Sequence, residues 1–416
     1  MAITCILHSC LLFYEPNAVQ KISITPSGRH ATPSSPDLKA FLSLGFRPLY
    51  IAGSAWALIS VAIWIFWPAL IPTPFNGLSW HAHEMLWGFI ATIAVGFLLT
   101  ASATWTKHNP LKGSGLALVT LLWALARIGY ITGGTTLFWL AAAAETAFFA
   151  ISAVCLMRVM VLGKSRRNYG LPLLVAGLGI ANVLYLQAVL ARNYPLLIER
   201  FNVGMICMAV IVLLIGRRVI PFFTMRMVPG LQIPMLVRSG HYQLTFSALA
   251  IGFGLLQLDV LTAISLALAG LIALWQSLQW KPLSVLHKPM LWILHLGYIA
   301  TGVGLLLAAA QLGGLASGVA MRPAFYVHVI GMGGFSVLII GMVTRTALGH
   351  LGRPLALDTS MLVSYYFMIA AVVFRLAALW PTGLSKALLD ASALSWVVCM
   401  ALYLWRFIPM LVRPRY

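Results

Sequence analysis

Trp80-His81-Ala82-His83-Glu84-Met85, with the apolar run from Leu86 to Ala103 behind it, decides how this chain must fold. An apolar run of that length suits a membrane helix, which takes ~20 residues to cross a bilayer. Ionisable groups at its lip cost roughly 2.5–3.5 kcal/mol each to draw into hydrocarbon. Groups kept there serve as metal ligands, proton relays or substrate contacts, or else lie just outside the core and are wetted by headgroups. The rest of the sequence bears on that choice.

Of the 416 residues, 61% are hydrophobic and only 8% charged. So little charge cannot cover a soluble domain. From Arg47 onward twelve apolar segments are long enough to span, at roughly 48–67, 84–104, 114–131, 136–161, 171–191, 196–216, 241–258, 260–279, 289–311, 323–344, 359–380 and 386–408. The seventh and eighth meet in a tight turn at Asp259. The expected fold class is all-α: a polytopic membrane protein with about 12 transmembrane helices over 46–416. Residues 1–45 form an N-terminal extension, rich in Ser, Thr and Pro from Thr25 to Pro36 and expected to be partly disordered. Its first stretch, Met1 to Phe13, is too short to span, and no small-residue cleavage site follows it.

A net charge of +19 suggests nucleic acid in a soluble protein, but here it has another source. Twenty-one of the 27 basic residues fall in the N-terminal segment, the C-terminal tail and the even-to-odd loops. That bias places both termini in the cytoplasm and makes the lipid bilayer, not nucleic acid, the partner. Five cysteines show neither CxxC nor CxxCH, which argues against a disulfide framework and attached c-type haem. No phosphate loop is present, which argues against direct use of ATP.

A weak internal repeat runs through Val95-Gly96-Phe97, Ile215-Gly216-Arg217 and Ile340-Gly341-Met342 in segments two, six and ten. Its glycines are 120 and 125 residues apart, four helices each time, which admits three arcs of four helices. His83 and His328 each lie thirteen residues before their glycine, ~20 Å along a helix, and so share one depth on the outer side. The counterpart in segment six is Val203, which cannot ligate. A b-type haem in a bundle needs two facing imidazoles on different helices, which makes His83 and His328 the first candidate pair. Gly331, Gly333 and Gly334 leave room for a flat ring, Met332 is an alternative axial ligand, and Arg322 and Arg375 suit propionates. The bland reading is two interfacial histidines and two surface anchors.

His81 and His83 stand ~200° apart on a helix, so they can share one metal only if the helix starts after them. An extended His-Ala-His would suit copper, with Glu84 orienting an imidazole or carrying protons. His241, His295 and His350, all near inner helix ends, form a looser second metal set. Arg127 and Glu145 lie in adjacent segments and are expected to neutralise each other.

Seven stretches in order carry a resemblance. They are Phe46-Arg47-Pro48-Leu49-Tyr50, the stretch at 80–85, Gly96 to Ala101, Arg218 to Thr224, Leu294 to Tyr298, His328 to Gly334 and Met342 to Pro354. Together they resemble the NnrS family of bacterial membrane proteins, from about residue 45 to the C-terminus. The resemblance implies twelve helices in the bacterial inner membrane, haem and copper content, and a role in the response to nitric oxide and nitrosative stress. Matching positions are His81, His83, Glu84, Arg218, His295, His328, Arg345 and His350. The expected function is thus to bind nitric oxide or reduce nitrosylated iron species, with haem b, copper as a further candidate, and an unidentified electron donor. A metal-dependent oxidoreductase is one form of this. A cofactor-free proton-coupled transporter and a haem-handling sensor or assembly protein without turnover stay open beside it. The outer histidines on segments two and ten also resemble the haem–copper oxidase superfamily. The copper-binding histidines expected on segments six and seven are missing, so a full binuclear site is not expected.

Overall fold

The structure is a computed structural model that describes residues 35–415, and most of the expected disordered extension lies outside the described residues. Its final part is ordered: Leu38–Phe41 forms one helical turn in which the Asp37 side chain accepts from the Lys39 N–H. Twelve long helices follow, with no strand among the described residues. They are α1 (Phe46–Phe66), α2 (Gly77–Thr106), α3 (Ser114–Thr132), α4 (Thr135–Leu162), α5 (Gly170–Leu190), α6 (Tyr194–Met227), α7 (Val237–Leu255), α8 (Asp259–Gln279), α9 (Pro289–Leu312), α10 (Pro323–His350), α11 (Thr359–Ala377) and α12 (Ser385–Leu411). All but α7 are long and apolar enough to cross a membrane. α7 falls short because its opening, Val237-Arg238-Ser239-Gly240-His241-Tyr242-Gln243, is polar.

Two expected boundaries move the furthest. α2 begins at Gly77, not at residue 84, because Asn76 and Ser79 form a capping box that starts the helix there. His81, His83 and Glu84 are therefore one to two turns inside it. α6 continues through Pro221 to Met227, so Gly216-Arg217-Arg218 is helical rather than part of a loop.

Sequence neighbours pack against each other along most of the chain, α2 packs on α4 rather than on α3, and α12 packs on α1 to close the bundle. The ends of the described chain meet at one end of it. Asp37 N–H donates to the Val412 carbonyl at 2.8 Å, and the Arg47 guanidinium donates to the carbonyls of Leu411 at 2.8 Å and Arg413 at 2.6 Å. We call this end proximal and the opposite one distal.

α2, α6 and α10 are the most buried of the apolar spans, and all three touch one another at the centre. Every fourth helix is thus central, in agreement with three arcs of four. The repeat glycines lie where these helices approach neighbours: a Cβ on Gly96 would come within 2.9 Å of Leu49, on Gly216 within 2.7 Å of Tyr298, and on Gly341 within 2.7 Å of Ile293. α2 and α10 share a further feature. Each carries an eight-residue π-helical segment directly after its histidine, Glu84–Ala91 and Val329–Ser336. The two segments are offset by 245 residues, the same offset that relates Gly96 to Gly341. A hydroxyl stitches each segment five residues back, Thr92 to the Trp87 carbonyl at 3.0 Å and Ser336 to the Gly331 carbonyl at 2.8 Å. α6 has no such segment.

Candidate functional site

The α2 stretch sends its ionisable side chains in two directions. His83 and Glu84 face α3, α4 and α5, where they join a fully buried charged cluster. The Arg127 guanidinium on α3 donates to Glu84 Oε2 with one terminal nitrogen and to Glu145 Oε1 on α4 with the other. His83 Nδ1 lies 2.8 Å from Glu84 Oε1, and Nε2 lies 2.9 Å from Asn182 Oδ1 and 3.1 Å from Glu145 Oε2. Asn182 on α5 donates its own N–H to Glu145 at 2.7 Å, which turns its oxygen toward the histidine. Both ring nitrogens of His83 therefore face oxygen acceptors, and only an imidazolium can donate to both. Its charge and that of Arg127 balance the two carboxylates. Trp56 Nε1 (2.5 Å) and Tyr130 OH (3.1 Å) supply the remaining donors, to Glu84 and Glu145.

Gly88, one turn on, makes room for this pair. A Cβ there would stand 2.6 Å from both the Arg127 and Glu84 groups. The expected neutralisation of Arg127 by Glu145 holds, with Glu84 and His83 as further members. Asn182 and Tyr130 do not stand out in the sequence as members of this cluster. An asparagine within an otherwise apolar span was the available signal.

His81 faces the other way. Its ring stacks on Trp64 of α1 with centroids 3.7 Å apart and planes 9° off parallel. It lies 6.5 Å, centroid to centroid, from the ring of His328 on α10, with 18° between the planes. The structure thus corrects the expected pair: His328 meets His81, because α2 has already begun and turns His83 into the charged cluster. The same geometry removes the extended His-Ala-His chelate. His81 Nδ1 is buried without a hydrogen-bond partner. His328 Nδ1 donates to the Ala324 carbonyl at 2.6 Å, which leaves Nε2 as the acceptor, and Arg375 Nε on α11 donates to it at 3.1 Å.

These two imidazoles line a cavity of about 470 Å³ between the distal parts of α1, α2, α6, α10, α11 and α12. That is a size usual for organic cofactors and ligands, roughly 300–1,000 Å³. Its wall is mostly apolar, with Met332 one turn below His328 and Arg322 and Arg375 at the rim. Arg322 donates to the Leu379 carbonyl at 2.6 Å. Gly331 opens onto the space, since a Cβ there would meet nothing within 4 Å.

Toward the proximal end lies a second void of about 80 Å³ where α1, α2, α6 and α10 converge. Ile90 and Phe335 line both spaces.

The inner histidines do not converge. His295 is buried, with Nε2 3.1 Å from the Thr224 hydroxyl and its ring near Trp280. His350 packs 5.5 Å from Phe46, and His241 is exposed. Among the described residues no three His, Cys, Asp or Glu gather as a metal site. The expected second metal set therefore has no preformed geometry. Arg345 is buried over the Phe223 ring at 3.9 Å, and Arg218 donates to Asn168.

A family model described as NnrS protein matches residues 40–415, nearly the whole chain. No curated protein matches it.

Proposed function

The chain belongs to the NnrS family, and on that premise we propose that it holds a haem in the distal cavity and serves in the response to nitric oxide. The observation that carries this reading is the facing pair of His81 and His328 across a cavity of cofactor size. The buried, unpartnered Nδ1 of His81 and the open space beside Gly331 fit the same group. Bound haem would supply a redox-active iron able to take nitric oxide or pass an electron to a nitrosylated iron species.

The residues divide the remaining work. Trp64 fixes the plane of His81, and the Ala324 carbonyl fixes the tautomer of His328. With His328 Nε2 engaged as a ligand, Arg375 would exchange that acceptor for a propionate, with Arg322 beside it. Met332 is the alternative soft ligand on α10. His83 is not a ligand in this reading, because both of its ring nitrogens are held by oxygens. Among the described residues no three His, Cys, Asp or Glu gather to hold the family's copper. The membrane is the bacterial inner membrane, with both termini cytoplasmic.

The test is an optical spectrum of the detergent-purified protein, oxidised and reduced, for wild type, His81→Ala, His328→Ala and His83→Gln. A b-type spectrum lost in the first two variants and kept in the third is expected. A folded wild type that stays colourless after haem supplementation overturns the reading and leaves a cofactor-free transporter.

A further inference from the structure

The apolar pocket where α1, α2, α6 and α10 converge is outside the site just described, and no residue assigned a role above lines it except through its shared wall. Its lining is apolar: Ile93, Phe97, Ile211, Val219 and Leu338 are typical, and the one hydroxyl among its lining residues, on Tyr50, is engaged with Thr346 at 3.1 Å. Such a lining offers water none of the 2–4 polar partners that a buried water needs, and so favours small apolar guests. At about 80 Å³ the pocket is too small for a cofactor.

Its position is as informative as its lining. The chamber lies where α2, α6 and α10 meet, and its wall toward the large cavity is formed by Ile90 and Phe335. These two residues belong to the two π-helical segments and stand 245 positions apart, so they are equivalents under the repeat that relates α2 to α10. A π turn displaces the backbone from regular helical register and is commonly found at functional sites. Here both displaced segments contribute to the partition between two spaces.

We propose that this chamber is a binding site for a small, uncharged, apolar molecule of the diatomic-gas class, which passes to the His81–His328 cavity between Ile90 and Phe335. The binding site stands on the chamber alone, while delivery to a haem rests on the function proposed above. Xenon separates the two, because it reports occupancy of an apolar void with no haem present. In xenon-pressurised crystals of the full chain, the wild type is expected to show xenon between Ile93, Ile211 and Leu338. Ala94→Phe, which fills the chamber from α2, and Val212→Phe, which fills it from α6, are each expected to lose that xenon. In haem-loaded protein the same variants are expected to slow carbon monoxide association about tenfold with an unchanged optical spectrum, and Phe335→Ala to speed it. A wild-type chamber without xenon overturns the binding site. Unchanged association rates in the filled variants overturn the passage.

Discussion

At the scale of the residue, Arg127 is the side chain on which the distal charged cluster depends. Its guanidinium spans two carboxylates that are both buried in the bundle. Removing one partner of a buried ion pair costs about 3–5 kcal/mol, because the remaining charge is left without compensation. Arg127→Met is therefore expected to lower the thermal unfolding midpoint sharply in detergent. Arg127→Lys should recover little, since an ammonium lacks the planar fork that reaches both acids. Arg127→Met combined with Glu145→Gln again leaves one imidazolium facing one carboxylate, and should regain a large part of the loss. Equal destabilisation of the single and double variants would show that charge balance is not what holds the cluster. Gly88→Ala should act in the same direction, because its methyl would occupy the space of the ion pair.

At the scale of the element, the π segments decide which way the histidines face. A deletion within Glu84–Ala91 that restored regular α-helix would turn everything before it by ~100°. The prediction is a folded protein in which His81 no longer meets His328 and the haem spectrum is lost. A deletion variant with an intact spectrum would detach the π turn from the site. This is also where the sequence was least legible. Apolar run length located all twelve helices, and the glycine spacing tied segments two, six and ten together without showing that they are the central ones. Neither reveals a π turn, which depends on hydrogen bonds five residues apart and leaves composition unchanged. The error of about two turns at the start of α2 had a readable cause, the Asn76–Ser79 cap, and it misdirected the ligand pair from His81 to His83. The start of α11 offers a second test at this scale. Partial burial works to raise the Asp358 carboxyl. Hydrogen bonds from the Ser360 hydroxyl and the Met361 N–H, together with Arg406, outweigh it and hold the group below its usual value. A depressed folded value means the stabilisation is present above the unfolded value and is lost as pH falls through the folded one. The difference in melting temperature between wild type and Asp358→Asn should shrink below about pH 4, and a constant difference would discount the cap.

For the whole molecule, the closed ring of helices and the meeting of Asp37 with Val412 put both ends of the described chain at the proximal end. The basic residues crowd the same end, among them Arg226 at the last turn of α6 and Lys288 just before α9. The distal cavity opens where such charge is sparse. Because Lys and Arg in short loops stay on the cytoplasmic side, this asymmetry predicts that the proximal end faces the cytoplasm and the His81–His328 cavity lies toward the periplasm. A fluorescent protein that matures only in the cytoplasm should fluoresce when fused after Arg415. Alkaline phosphatase, active only outside, should be active when fused after Gly134 between α3 and α4 or after Leu315 between α9 and α10. The reverse pattern would place the cavity on the cytoplasmic side.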